Sequence, residues 1–166
     1  WLVMEWDGRE SSGIFVGNPI GWLLRNVNSS LALFKDNGIR SFSRVLIAIR
    51  PGRRNKRFID VADKVCRHFG ASLTLLNIVS ESDSNQKIKR TEKSSSELIS
   101  ETKSKSVIKI IKSNNPVEAI SEESASYDLL VLGTPEKDNW ISVLFGAGED
   151  RFVKKAACSV LRLTIK

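Results

Sequence analysis

The sequence predicts an α/β protein with a doubly wound parallel sheet, and three observations lead there. Short apolar, β-branched runs alternate with stretches of helical periodicity, the pattern of a parallel sheet covered by helices on both faces. Glycine or proline closes the runs where a strand must hand over to a helix, as in "AIRPG" and "LVLG". The opening of the chain also repeats its end, in the same order of glycine turn, short helix and strand.

The elements follow in order. "SRVLIAIRPG" contains a buried strand, Val45 to Ile49, ended by Pro51 and Gly52. "NKRFIDVADKVCRHFG" places Phe58, Val61, Ala62, Val65 and Phe69 on one helical face and stops at Gly70. "ASLTLLNIV" is a second buried strand, and "SVIKIIKSNN" a third with one wetter face. Between them, Ser80 to Ser106 is rich in Ser, Lys and Glu; "IKRTEKSSSELISE" is expected to form an exposed helix and the remainder to be mobile. Asn115, Pro116 and Glu118 mark a helix start, as cap, first residue and dipole-favoured acid. "YDLLVLG", "EDRFVKKAA" and "CSVLRLTI" then give strand, short helix and strand. The repeat sets Leu2–Gly8 beside Leu130–Glu136 and Gly17–Phe34 beside Gly146–Leu163. Residues 1–38 read as the C-terminal remnant of a first module, 39–42 as a linker and 43–166 as a complete domain. A strand–helix–strand piece cannot close a core alone, so it must dock on the full domain or on another chain.

Composition narrows the function. With 41% hydrophobic and 27% charged residues over 166 positions, the chain reads as a soluble globular protein. It opens "WLVMEWDG", with neither a signal peptide nor an initiator methionine, and is expected to be cut from a longer protein. Cys66 and Cys158 lie in apolar segments, as buried thiols of a reducing compartment. One histidine, His68, and no CxxC argue against a metal. The net charge of +7 favours anionic partners, and its densest run is "RPGRRNKR", Arg50 to Arg57. That run is open to three readings: a solvated loop, an anion pocket, or contact with anionic lipid or an acidic partner. Nucleic acid is not expected, because no aromatics interleave the run and no groove-reading motif is present. Catalysis is not expected either: the chain has no nucleophile elbow and no paired carboxylates beside a glycine loop, and Glu149 and Asp150 are expected to serve only a helix dipole.

The segments "RVLIAIRPG", "ASLTLLNIV", "NPVEAISEESASYDLLVLG" and "FGAGEDRFVKKAACSVLRL" together resemble the universal stress protein family. The resemblance covers Ser43 to Lys166 as one module and Trp1 to Phe34 as the tail of another. It implies a sheet of order 3-2-1-4-5, a cytoplasmic role in stress response, and ATP, AMP or another adenine nucleotide as ligand. ATP-binding members carry glycine, two residues, glycine, nine residues, glycine, then Ser or Thr. Here Gly133 and Gly146 keep the spacing, while Glu136 and Ala147 replace the second glycine and the hydroxyl residue. Glu136 brings a side chain and a negative charge where backbone amides would approach phosphate, and Ala147 has no hydroxyl to donate. The family's acid after the first strand falls on Arg50, an inverted charge.

The resulting nucleotide or anion candidates are Ile49, Arg50, Arg53, Arg54, Val79, Gly133, Thr134, Gly146, Ala147 and Gly148, with no cofactor certain. Lys56 and Arg57 extend the charge available to an anion. Fifth strands of the family commonly pair between modules, so Ser30 to Phe34 is expected against Ser159 to Thr164, in this chain or a neighbour. Leu31, Leu33, Val160 and Leu161 are the candidates for that contact, and Trp140 and Phe145 for a partner surface. Tandem modules with "LVMGW"-like strands occur as cytoplasmic tails of amino-acid permeases and cation/proton antiporters. The reading is therefore a regulatory domain acting by binding and dimerisation, as a homodimer or pseudo-dimer, on the cytosolic face of a transporter's membrane domain. A free-standing stress protein binding ATP or AMP, or a slow ATPase, are the alternatives.

Overall fold

A computed structural model describes residues 1–6, 26–39, 41–49, 55–134 and 150–165. In chain order these form β1 (Leu2–Glu5), β2 (Leu31–Lys35), β3 (Arg44–Ala48), α1 (Asn55–Phe69), β4 (Ser72–Val79), α2 (Asn85–Ile99), β5 (Ser106–Lys112), α3 (Pro116–Ser124), β6 (Leu129–Gly133), α4 (Arg151–Lys155) and β7 (Ser159–Thr164). The strands make one seven-stranded sheet of order β1-β2-β7-β6-β3-β4-β5. From β3 to β7 this is the expected 3-2-1-4-5 order, and every pairing within it is parallel.

Local chemistry accounts for the helix limits. Ser84 caps α2 by accepting from the Lys87 amide, Asn115 caps α3 by accepting from that of Glu118, and Asp150 caps α4 by accepting from those of Phe152 and Val153. α1 stops at Gly70, whose φ of +68° is the left-handed conformation that favours glycine. α2 spans Asn85 to Ile99, so the helix expected over residues 88–101 is present and begins three residues earlier. A buried bond anchors it: Asn77 Nδ2 of β4 donates to Ser95 Oγ at 2.8 Å.

The central strands bury both faces, as parallel strands between helical layers must. One half-core joins Leu46, Leu76, Leu130, Leu132 and Val160 to Ile120 of α3 and Val153 of α4. The other joins Val45, Ile47, Leu73, Leu75, Val131 and Leu163 to Phe58, Ile59, Ala62 and Cys66 of α1. The buried face of α1 is thus rotated from the expected one. Ile59, Asp63 and Cys66 are inside, Val61 and Val65 only partly, and Phe69 is exposed. The cause is Asp63, whose Oδ1 accepts the backbone amides of Lys103 (3.0 Å) and Ser104 (2.8 Å) and so holds the approach to β5 against the helix. Both cysteines are free and buried.

β2 docks on β7 within this chain, antiparallel, with Leu31 opposite Thr164, Leu33 opposite Arg162 and Lys35 opposite Val160. β1 extends the sheet parallel to β2, pairing Leu2 with Leu31. The repeat is visible in register: Leu2–Leu31 in the first copy matches Leu130–Val160 in the second. The end of β2 and the segment after it are also tied down. Lys35 Nζ donates to the Val153 carbonyl (2.9 Å), Asn37 Nδ2 to the Cys158 carbonyl (2.9 Å), and the Asn37 amide to Ser159 Oγ (3.0 Å). No helix among the described residues is long and apolar enough to cross a membrane.

Candidate functional site

In a doubly wound sheet the carboxyl ends of the central parallel strands form the ligand edge. Here β3 lies between β4 and β6, with Ala48 beside both Leu76 and Leu132. Of the candidates from sequence, Ile49, Val79, Gly133 and Thr134 lie at this edge. Ile49 continues the ladder by donating its amide to the Leu76 carbonyl at 3.3 Å. Val79 is buried, and its carbonyl accepts from the Ser113 amide at 2.9 Å. Arg50, Arg53, Arg54, Trp140, Phe145, Gly146, Ala147 and Gly148, with Glu136 between them, lie outside the described residues. Among the dimer candidates, Leu31, Leu33 and Val160 are buried in the β2–β7 junction and Leu161 is partly buried opposite Phe34.

Gly133 has a packing role. A Cβ built on it would stand 2.7 Å from the Phe58 ring of α1, so the glycine lets the helix close onto the end of β6. The hydroxyl of Thr134, the next residue, is engaged: its Oγ1 lies 2.9 Å from Thr164 Oγ1 in a buried bond, and its amide donates to the Leu163 carbonyl at 2.8 Å. Of the basic run, Lys56 is described with a partner; its Nζ lies 2.6 Å from Glu101 Oε2 on the surface.

The residue that sequence reasoning missed is Arg162. It lies in β7 beside Leu132 of β6, with its guanidinium buried. Nη1 donates to the Gly133 carbonyl at 3.1 Å, and Nη2 stands 2.6 Å from Asp150 Oδ2. The other Asp150 oxygen, Oδ1, accepts from the amides of Phe152 (3.0 Å) and Val153 (3.3 Å). Asp150 is therefore more than an acid near a helix dipole: it is fully buried, caps α4 and neutralises Arg162. Burial lowers the pKa of Arg162, and the charge of Asp150 works against that shift. The Nη2–Oδ2 contact is close yet misaligned, so it is an ion pair without a directed hydrogen bond, and Nε has no hydrogen-bond partner. The available signal was an arginine in an inward position of the apolar strand "CSVLRLTI", with acids at the preceding helix start.

The thiols have no chemistry of their own at neutral pH. Burial pushes Cys66 up to about 12 and Cys158 up to about 11, far from a reactive thiolate. No cluster of potential metal ligands occurs among the described residues.

Comparison with known proteins places the architecture. Residues 41–163 match the model of the Universal stress protein family, and the chain belongs to that family. Among solved structures, a universal stress protein from Archaeoglobus fulgidus DSM 4304 superposes with a TM-score of 0.68 at 18% identity, over 96% of this chain and 59% of that one. This chain thus spans about three fifths of that longer protein. A universal stress protein from Archaeoglobus fulgidus in complex with dAMP has a TM-score of 0.57 at 14% identity, over 74% of this chain and 98% of its own. A universal stress protein in complex with cAMP has a TM-score of 0.60 at 15% identity, over 76% and 99%. At these identities the likeness is one of fold. No curated protein matches the chain.

Proposed function

We propose that this universal stress protein is a regulatory domain that acts by binding and docking, without chemistry of its own, and that its triphosphate motif is altered. The observation that carries the proposal is the state of the β6 carboxyl end. Phe58 fills the space beside Gly133, Thr134 bonds Thr164, and Asp150 neutralises Arg162. The groups there that would favour an incoming phosphate are engaged in holding the fold. Glu136 and Ala147 in the sequence add a charge and remove a hydroxyl.

The fitting ligand is an adenine nucleotide with fewer phosphates than ATP, in keeping with the dAMP and cAMP of the two complexed relatives. Calorimetry on the full chain with ATP, AMP and cAMP tests this. AMP or cAMP binding more tightly than ATP supports it; ATP binding most tightly, or measurable phosphate release from ATP, overturns it.

The host we propose is a transporter, an amino-acid permease or cation/proton antiporter, with this domain as its cytoplasmic tail. Its support is the resemblance of "LVMEW" and the tandem arrangement. Fractionation of the complete gene product tests it: recovery with membranes supports a tail, and recovery wholly in the soluble fraction overturns it. The second reading is a free-standing protein binding ATP or AMP; what supports its ligand class is that the complexed relatives hold the adenine nucleotides dAMP and cAMP.

A further inference from the structure

The β2–β7 junction has a local two-fold pattern whose centre is unequal. Its register runs Leu31–Thr164, Ala32–Leu163, Leu33–Arg162, Phe34–Leu161 and Lys35–Val160, symmetric about the Leu33–Arg162 pair. The flanking parallel pairings make these two residues equivalents: Leu33 lies beside Met4 in the first copy, as Arg162 lies beside Leu132 in the second. Equivalent positions therefore face each other at the centre, one as leucine and one as arginine. At the end of the first strand of each copy, buried Trp6 is aligned to Thr134.

We infer that the β7 edge is keyed to the β2 segment of its own chain and rejects a second β7, with Arg162 as the discriminating residue. Two β7 strands paired in the same register would set Arg162 against Arg162. Directly opposed like charges destabilise a strand pair. Each copy would bring its own Asp150, which balances the charge but offers nothing to the two Nε donors, already without partners here. Leu33 avoids both problems by presenting no charge and no polar hydrogen. The end of β2 and the residues just beyond it add recognition that β7 cannot supply. Lys35 and Asn37 bond the carbonyls of Val153 and Cys158, whereas the position in β7 equivalent to Lys35 is Thr164, too short to reach.

Paired cysteines in the full chain test this. Leu31→Cys with Thr164→Cys reports β2 on β7 and is expected to close within one chain. Val160→Cys with Thr164→Cys reports β7 on β7: four residues apart in one strand they are about 13 Å from each other and cannot join, whereas two self-paired strands would bring them opposite. No covalent dimer is expected from this second reporter, alone or with Leu33→Arg. Leu33→Arg should reduce closure of the first reporter at least about tenfold, while Leu33→Met should leave it unchanged. Full closure with Leu33→Arg, or a covalent dimer from the second reporter in either background, overturns the inference. Sedimentation of the unsubstituted chain needs no variant to fold: a monomer supports it, and a concentration-dependent dimer that the second reporter traps covalently overturns it.

Discussion

Arg162 and Asp150 form a buried ion pair, 2.6 Å between Nη2 and Oδ2, that ties the sheet to the first turn of α4. Breaking a buried pair from one side leaves an uncompensated charge and costs about 3–5 kcal/mol, whereas replacing both members can be nearly neutral. Arg162→Met should therefore lower the urea midpoint strongly. Adding Asp150→Asn, which removes the charge and keeps a capping oxygen, should recover a large part of the loss. A double variant that loses as much as the two single variants added together would show that the pair is not coupled.

Phe58 and Gly133 give a second coupled pair. A methyl on Gly133 would meet the ring at 2.7 Å, so Gly133→Ala should cost about 1–3 kcal/mol by overpacking. Phe58→Leu makes room, and the double variant should be more stable than the sum of the two single changes predicts. The check is a double-mutant cycle from denaturant unfolding. Additive losses would mean that the glycine acts through its backbone alone.

The fold was legible because each strand carries its own signal: Val45 to Ile47 and Leu129 to Leu132 are continuous apolar runs, and the runs are buried on both faces. The cap at Asn115 stands where the residue types mark a helix start. The face of α1 was not legible, because an aspartate on a helix reads as solvent-facing until its partners are known. The amides that hold Asp63 lie forty residues away in sequence. Gly133 was ambiguous for a related reason. A glycine after a strand suits a phosphate loop and a closely packed ring equally, and only the position of Phe58 separates them. Arg162 shows the same dependence, since its partner Asp150 is twelve residues away and reads locally as an acid favouring a helix dipole.

The cysteines give a third prediction. With Cys66 pushed up to about 12 and Cys158 to about 11 by burial, neither thiol ionises in the native state at ordinary pH. A thiol-reactive dye at pH 8 should label the native chain far more slowly than the chain in denaturant, and at the rate of global unfolding. Rapid labelling of either cysteine in native buffer would place it in a region that opens locally.

Asp63 gives the pH dependence. Burial alone would raise its pKa, but the amide and side-chain bonds from Ser104, the Lys103 amide and the charge of Arg67 together hold it below the ordinary value. A carboxylate with a depressed folded pKa binds fewer protons folded than unfolded in the window between the two values. Its contribution to stability is therefore complete above the unfolded pKa of about 3.9 and is lost as pH falls through the folded value. Asp63→Ala should cost about 1.5–3 kcal/mol at pH 7 by removing charge-assisted bonds to the segment before β5. Asp63→Asn keeps acceptors for those amides and should cost less. Both variants should lose stability less steeply than the native chain between pH 5 and the acid transition, by about the proton that Asp63 no longer takes up. Denaturant midpoints across that range supply the comparison. A native-like slope in either variant would assign the acid sensitivity to other carboxylates, such as Asp83, whose pKa is also held down by Lys87.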